Sequence, residues 1–284
     1  MALVTVILQL ICPDRSGLVS ELSGWIAQNG GNIRHADHHT DSEAQLFLSR
    51  IEWELDGFGL ERELITPAVT ALADGLGGKA QLTFSDELPR VAIFVSKQNH
   101  CLLDLLWRSQ SGELPMKVSL VISNHSALKS ICVEFGVPFK WVPVDSEIKP
   151  FAEKEMLSLL SEYEIELVVL AKYMQILSSK FLRQFSMVIN IHHSFLPAFK
   201  GAQPYHRAWE RGVKLIGATA HYVTESLDDG PIIEQTIAHV SHRDEVDDLI
   251  RKGRDTERIA LARALRLHLR RQVMVYSGRT AVFA

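Results

Sequence analysis

Val188-Ile-Asn-Ile-His-His-Ser-Phe-Leu-Pro-Ala-Phe-Lys-Gly201 is the stretch on which the reading of this chain turns. An apolar strand ends in polar groups, and a loop bearing Pro197 and Gly201 follows. Open α/β sheets bind their ligands in this kind of place, beyond the carboxyl ends of the strands. Asn190 and His192 are two residues apart, so on a strand both side chains point to one face. An amide donor beside an imidazole can hold one carbonyl oxygen and stabilise an oxyanion there. The same residues also fit a plainer reading, in which Asn190 ties down the loop and His192 is a satisfied core histidine.

Working outward, strand patterns fall upstream at Val91 to Ser96, Lys117 to Ser123, Trp141 to Val144 and Leu167 to Ala171, with helical patterns between them. This is the βαβ rhythm of a Rossmann-like, mostly parallel sheet with helices on both faces. Downstream, Lys214 to Val223 and Ile232 to Val240 read as longer strands. A helix is expected over about Asp244 to Arg271, with Gly253 as a candidate bend. Val273 to Tyr276 and Thr280 to Phe283 then form a closing hairpin around Ser277 and Gly278.

The first part of the chain has a different rhythm. Leu3 to Ile11 reads as a strand and Pro13 to Gly17 as a turn. A helix follows with Leu18, Leu22, Trp25 and Ile26 on one face, stopped by Gly30 and Gly31. Asn32 to Thr40 and Ala44 to Leu55 read as strands, Leu60 to Leu72 as a helix and Ala80 to Phe84 as a last strand. The order βαββαβ is that of an α+β, ferredoxin-like unit in which two helices cover one face of an antiparallel sheet. The expected organisation is therefore a domain over 1–84, a linker over 85–90 that contains Pro89, and an α/β domain over 91–284.

Composition narrows the function classes. The chain has 284 residues, 46% hydrophobic and 23% charged, with a net charge of -4. Nothing global points to nucleic acid or to an anionic membrane. The one basic stretch, Arg263 to Arg271, lies in a helical pattern and reads as a solvated face. Cys12, Cys101 and Cys132 are scattered and suggest neither a zinc site nor a disulfide framework, which suits the reducing cytoplasm. Met1 to Cys12 lacks a basic leader and a cleavage signal, so it reads as a buried strand. No apolar run reaches the roughly 20 residues that span a bilayer.

A second chemistry-bearing stretch is Gly217-Ala-Thr-Ala-His-Tyr-Val-Thr-Glu-Ser-Leu-Asp-Asp-Gly-Pro-Ile-Ile233. A strand containing His221 enters an acidic turn. Such turns are often acidic because Asp and Gly form them well. A carboxylate delivered beside His192 would orient water, hold a histidine cationic or relay a proton. Together the two stretches resemble the folate-dependent formyltransferases. The resemblance is carried by Asn190-Ile-His192, Ser194-Phe-Leu-Pro197, His221-Tyr-Val223 and Leu227-Asp-Asp-Gly-Pro-Ile-Ile233, long and in order. It implies a catalytic set of Asn190, His192 and Asp228, with His221 behind them. Leu170-Ala-Lys-Tyr-Met-Gln-Ile-Leu177 is similar to the family's folate-pocket segment. Leu170, Gln175, Ile176, Leu177 and Leu227 are the folate-contacting residues this implies, though Met174 to Leu177 would otherwise pass as core.

The formyl acceptor is read from three features. Relatives that formylate a phosphorylated ribosyl amine carry a glycine-bearing, phosphate-cradling loop after the opening strand. Here that loop is Ser96-Lys-Gln-Asn-His100, and no glycine occurs between Val91 and Ser111. Cys12-Pro-Asp-Arg-Ser-Gly-Leu-Val19 and Asn29-Gly-Gly-Asn-Ile33 resemble ACT domains, and His35-Ala-Asp-His-His-Thr-Asp41 is similar to the segment this module carries in formyltetrahydrofolate deformylases. Gly201-Ala-Gln-Pro-Tyr-His-Arg-Ala-Trp-Glu-Arg-Gly212 and Gly217-Ala-Thr-Ala-His-Tyr-Val-Thr224 look like that subfamily too.

The resemblance implies hydrolysis of 10-formyltetrahydrofolate to formate and tetrahydrofolate, with formate supplied to purine biosynthesis and the one-carbon pool balanced. Water is then the acceptor. The folate is the substrate, and neither a tightly bound cofactor nor a metal is expected. His192 and His193, as strand neighbours, would face opposite ways and could not share an ion. The ACT resemblance implies an amino-acid effector, glycine or methionine, at Asp14, Arg15, Gly17, Asn29, Gly31 and Asn32, and a homo-oligomer, a dimer or tetramer. The plainer reading of those residues is that they cap and turn the chain. Two other functions stay open. One is a formyltransferase to a small amine, although the chain ends soon after Phe283, leaving little room for an acceptor domain. The other is a catalytically silent amino-acid or folate sensor.

Overall fold

The computed structural model describes residues 3–196 and 204–284. Pro197 of the Ser-Phe-Leu-Pro stretch, and 201–203 of the segment 201–212, lie outside the described residues.

The chain forms two compact units. In the first, β1 (Thr5–Pro13), α1 (Leu18–Gln28), β2 (Ile33–Asp41), β3 (Leu46–Glu54), α2 (Arg62–Gly75) and β4 (Lys79–Phe84) follow the expected βαββαβ order. Their sheet is antiparallel, in the order β2-β3-β1-β4. Period-two alternation puts Val6, Leu8, Leu10 and Cys12 of β1 on one face, with Phe47, Ile51 and Trp53 of β3. Leu18, Leu22 and Ile26 of α1 and Ile65, Val69 and Ala73 of α2 close over that face at helical spacing.

The second unit begins at Pro89, so Arg90, expected in the linker, is already in a strand. Its elements are β5 (Arg90–Val95), α3 (His100–Gln110), β6 (Lys117–Ser123), α4 (Lys129–Glu134), β7 (Phe139–Trp141), α5 (Lys149–Glu162), β8 (Leu167–Leu170), α6 (Ser179–Gln184), β9 (Val188–His192), α7 (Pro204–Arg211), β10 (Leu215–Tyr222), β11 (Ile232–His239) and α8 (Val246–Leu269). The seven-stranded sheet runs β11-β10-β9-β8-β5-β6-β7. Strands β5 to β9 pair in parallel, and β10 and β11 join antiparallel. The fold class is thus ferredoxin-like α+β followed by Rossmann-like α/β. Strand β7 ends at Trp141 rather than continuing to Val144, because Pro143 has no N–H to give the ladder.

Three local expectations change. The closing hairpin, β12 (Val273–Tyr276) and β13 (Arg279–Val282), forms as expected, but residues 271–277 and 281–284 cluster with the first unit. Met274 and Tyr276 pack with Leu48, Ile11 and Leu46, which face away from the two helices. Gln9 Nε2 donates to Val273 O at 2.9 Å and Arg50 Nε to Arg271 O at 3.1 Å. The first unit's sheet is therefore covered on both faces. The basic stretch is only partly a solvated face. Arg263 and Arg270 are exposed, but Arg266 pairs with Glu113, and buried His268 bonds the Tyr222 hydroxyl at 2.8 Å. Gly253 lies within the single helix α8, where a Cβ would stand 2.1 Å from the Tyr205 hydroxyl. Its missing side chain serves that close approach.

The core under the parallel strands centres on Phe94, Tyr173 and Phe181, with Phe94 edge-on to both rings. Phe181 is fully buried, so Phe181→Ala should destabilise the second unit by about 3–5 kcal/mol. Urea unfolding followed by circular dichroism checks this, and a loss below about 1 kcal/mol would contradict the packing described.

Candidate active site

The site is assembled where β10 lies antiparallel against the end of β9. The register pairs His221 with Asn190 and Thr219 with His192. Directly paired residues share a face, so these four side chains are grouped by backbone hydrogen bonding alone. A register shift between Ala220 and His221, on the side of β10 that pairs with β11, re-aims the strand where His221 enters the site.

His221 is 2% exposed. Its Nδ1 lies 2.9 Å from the Tyr222 carbonyl, which can only accept, so Nδ1 carries the proton. Burial lowers its pKa, outweighing the Tyr222 bond and the nearby Asp228 charge, so the ring is neutral and Nε2 has a lone pair. Asn190 Nδ2 sits 3.2 Å from that Nε2. The imidazole thus sets the amide's orientation, turning its nitrogen inward and leaving a second N–H to direct at a ligand.

Asp228 arrives on the turn after β10 with φ of 53°, a left-handed conformation that aspartate tolerates better than most residues. Its Oδ1 is 3.3 Å from His192 Nδ1 and 3.9 Å from His221 Nε2. The hydrogen bond from His192 holds the Asp228 carboxyl below its usual pKa, against the opposing effect of burial. An ionised carboxylate only accepts, so His192 Nδ1 donates to it. His192 Nε2 is buried, with no hydrogen-bond partner among the described residues. An orphaned polar atom of this kind needs a partner that a substrate could supply.

The turn is fixed by a close approach. A Cβ on Gly230 would stand 1.8 Å from the Tyr222 carbonyl oxygen, the same oxygen that holds His221. Tyr222 N also donates to Pro231 O at 2.9 Å. The loop after β9 is pinned by Thr219, whose hydroxyl donates to Ser194 O at 2.9 Å and accepts from Leu196 N at 3.1 Å and Gln235 Nε2 at 3.0 Å. A cavity of 520 Å³ lies beside this loop, lined by His193, Ser194, Tyr205, Gln235 and apolar groups including Phe195 and Ile237.

His192 and His193 do not face opposite ways. Their rings stack with centroids 4.8 Å apart, because β9 ends at His192 and strand alternation stops there. Among the described residues, His100, Cys101 and Glu257 are the group whose donor atoms lie close enough to hold an ion. Burial pushes the Cys101 thiol well above its usual pKa, and the Lys172 ammonium already serves Glu257.

The segment after β8 divides. Leu170 and Leu177 belong to the core, whereas Met174 is 62% exposed and Ile176 59%. Leu227 is also exposed, at 61%, and Gln175 is partly so. Leu227 adjoins Asp228 in the chain, and an apolar group left open beside a polar constellation is what a flat, partly apolar ligand covers.

In the first unit, Arg15 forms a bidentate pair with Glu21, and Gly17 has φ of 92° at the start of α1. Asn29 Nδ2 donates to Trp25 O at 2.8 Å, and a Cβ on Gly31 would stand 2.5 Å from Ile26 Cγ2. The backbone N–H of Asp14 donates to Gln45 O at 3.0 Å, and Asn32 O accepts from Glu54 N at 3.0 Å. Capping and packing thus account for Asn29 and Gly31.

Residues 89–265 match the model of the formyl transferase family, and residues 6–74 that of the ACT domain. Over 99% of both chains, the protein is 58% identical to the formyltetrahydrofolate deformylase of Synechocystis. The chain belongs to the formyltetrahydrofolate deformylase family. The crystal structure of a formyltetrahydrofolate deformylase from Pseudomonas syringae superposes with a TM-score of 0.97 at 44% identity, covering 100% of this chain and 96% of that one. A glycinamide ribonucleotide transformylase from Symbiobacterium toebii matches with a TM-score of 0.65 at 29% identity, covering 69% of this chain and 95% of its own. The deformylase family thus shares its α/β unit with transferases.

In this deformylase-family chain the structure brings Asn190, His192, Asp228 and His221 together. Sequence reading missed Thr219, Gln235 and Gly230, and a buried cluster around Glu257. Glu257 had a signal: it stands four residues from both Gly253 and Leu261, on the buried stripe of α8. Gly230→Ala should displace the Tyr222 carbonyl and with it His221, Asn190 and Asp228. Misplacement on the ångström scale costs about 10²-fold, so kcat should fall by that order with the fold retained. Steady-state kinetics beside a circular dichroism spectrum is the check; wild-type kcat in this variant would refute the coupling.

Proposed function

We propose that the protein hydrolyses 10-formyltetrahydrofolate to formate and tetrahydrofolate, and that Asn190, His192 and Asp228 are the groups that touch the reacting atoms. The observation that carries this is one strand face presenting the oriented Asn190 amide and the unpartnered His192 Nε2, with Asp228 on the far nitrogen of the same ring. Asn190 donates to the formyl oxygen. His192, protonated at Nε2 and held by Asp228 at Nδ1, donates to the same oxygen as it becomes an oxyanion. The second oxygen of Asp228 orients the attacking water and accepts its proton. The tetrahedral intermediate then collapses, the bond to N10 breaks, and N10 takes a proton, completing the hydrolysis. His221 positions Asn190 and stays neutral.

The pterin is expected against the backbone of Gln175 and the apolar groups of Ile176 and Leu227, with Leu170 and Leu177 supporting the floor. No tightly bound cofactor enters this chemistry. The three cysteines are buried free thiols, which suits the reducing cytoplasm. Among the described residues no helix is long and apolar enough to cross a membrane. The released formate would feed purine synthesis. The ACT unit would bind an effector such as glycine or methionine near Asp14 to Gly17 and Asn29 to Asn32, in a dimer or tetramer.

Formate release from 10-formyltetrahydrofolate in buffer alone should be stoichiometric with tetrahydrofolate. Asp228→Ala should abolish it, and Asn190→Ala should slow it by about 10²- to 10³-fold. Folate binding without formate, but with turnover once an amine is added, would make the protein a transferase. Binding without any turnover would make it a sensor. The pH profile gives a further check. Asp228 must be ionised to take the water proton, and its pKa is depressed, so the rate falls only as pH drops through a value below the ordinary carboxylate range. In His192→Ala the largest cause of that depression is gone and burial remains. The acid limb of the residual kcat/KM should therefore move to higher pH, and a limb that stays put would argue against the pairing.

A further inference from the structure

The strand order reverses between β5 and β8: β6 and β7 extend the sheet on one side, and β8 to β11 on the other. In open α/β sheets the crevice beyond the carboxyl ends at such a reversal is the place where ligands bind. Here that crevice is filled by charged side chains. Lys172 lies two residues beyond β8 and is 7% exposed, and its carbonyl accepts from Ser96 N at the end of β5. Lys172 Nζ is 3.1 Å from Glu257 Oε1 on α8. His100 Nε2, opening α3, donates to Glu257 Oε2 at 2.6 Å, and the Tyr205 hydroxyl of α7 donates to Oε1 at 3.0 Å. Burial would raise the pKa of Glu257, but the His100 bond and the Lys172 charge overcome it and bring it to about 2, so the carboxylate remains ionised.

This cluster is expensive, and the chemistry at Asn190, His192 and Asp228 does not use it. Replacing buried ion pairs by apolar groups is often neutral or stabilising, so stability is a weak reason to keep one. Lys172 also has φ of 63°, a left-handed conformation that suits glycine far better than a long side chain. The position of the cluster supplies another reason. The formyl carbon belongs at the carboxyl end of β9. On the β10 side that place is bounded by the Asp228 turn, and the exposed apolar groups of Met174 and Ile176 are assigned to the folate in the reading above. On the other side β8 lies parallel to β9 with Leu170 opposite Asn190, and Lys172 follows two residues beyond Leu170. Transformylases of the same fold act on an amine, which must reach the formyl carbon by some route.

We propose that Lys172, Glu257, His100 and Tyr205 form an acceptor filter, which fills the switch-point crevice, excludes amines from the formyl carbon and leaves room for water alone. The proposal rests on the hydrolase reading above. With the filter in place, water oxygen bonds to the formyl carbon, the bond from that carbon to N10 breaks, and the water proton passes by way of Asp228 to N10. With the filter opened, an amine nitrogen bonds to the same carbon, the same bond breaks, and the proton lost by the amine goes to N10. The products are then an N-formyl amine and tetrahydrofolate.

The test uses the full-length protein with 10-formyltetrahydrofolate and excess glycinamide. N-formylglycinamide and formate are quantified by mass spectrometry per tetrahydrofolate released. Lys172→Gly with Glu257→Gln opens the crevice at Lys172 without leaving the Glu257 carboxylate unpaired. His100→Ala opens it from the α3 side and keeps the Lys172–Glu257 pair, should the double variant fail to fold. Lys172→Met with Glu257→Gln removes the charges but keeps the volume. The N-formylglycinamide to formate ratio should rise by about tenfold or more in the opened variants, the order of discrimination that pocket volume supplies. It should stay at the wild-type value in the volume-keeping variant. A wild-type ratio in every folded opened variant, or an equal rise in the volume-keeping one, would overturn the filter. A wild-type protein that releases no tetrahydrofolate without an amine would instead overturn the hydrolase reading, and the filter with it.

Discussion

The antiparallel pairing of β10 with β9 is the constraint on which the site depends. Asn190 and His192 share a face because they are two apart on one strand, but that fact alone leaves them without partners. The ladder brings His221 opposite Asn190 and Thr219 opposite His192. A slip of one residue would turn every side chain on β10 to the other face. The register is itself held from several directions. Buried Ala218 and Ala220 occupy the opposite face, Thr219 is bound to the loop after β9, and Gln235 reaches over from β11.

Electrostatics then distinguishes two histidines that look alike in sequence. His221 is buried against a carbonyl and is kept neutral, so it acts as a fixed acceptor for the Asn190 amide. His192 faces an ionised carboxylate and leaves its other nitrogen for whatever enters the site. The difference comes from the turn at Leu227 to Pro231. That turn delivers Asp228 to one ring and, through the close approach at Gly230, presses the Tyr222 carbonyl against the other.

Much of this was legible in the residues. The apolar run from Val188 to His192 forms a strand over those same residues, and the alternation of strands with helical patterns located the parallel sheet. Both readings rest on local periodicity, which a single sequence displays directly. What stayed hidden depends on contacts distant in sequence. Nothing near Gln9 or Arg50 announces that residues from the far end of the chain will cover them. The stacking of His192 on His193 depends on where a strand stops. Met174 and Ile176 look like core by composition, yet they are exposed, because the chain after β8 turns through a left-handed Lys172 and leaves the sheet. The catalytic role proposed for Asn190, His192 and Asp228 comes from resemblance. From spacing alone, Asn190 and His192 read equally well as a loop tether and a satisfied core histidine.

The hairpin at the end of the chain closes one face of the first unit's sheet, burying Leu48 beneath Met274 and Tyr276. A ribosome makes that hairpin only after the helices and strands of the second unit. The amino-terminal sheet can therefore emerge early and gather its two helices, yet its other face stays uncovered while the whole second unit is translated. During that interval Ile11, Leu46 and Leu48 form an apolar surface that waits for Met274, Tyr276 and Phe283 to hide it. For this chain, synthesis order and folding order do not coincide: the unit begun before the other is finished after it.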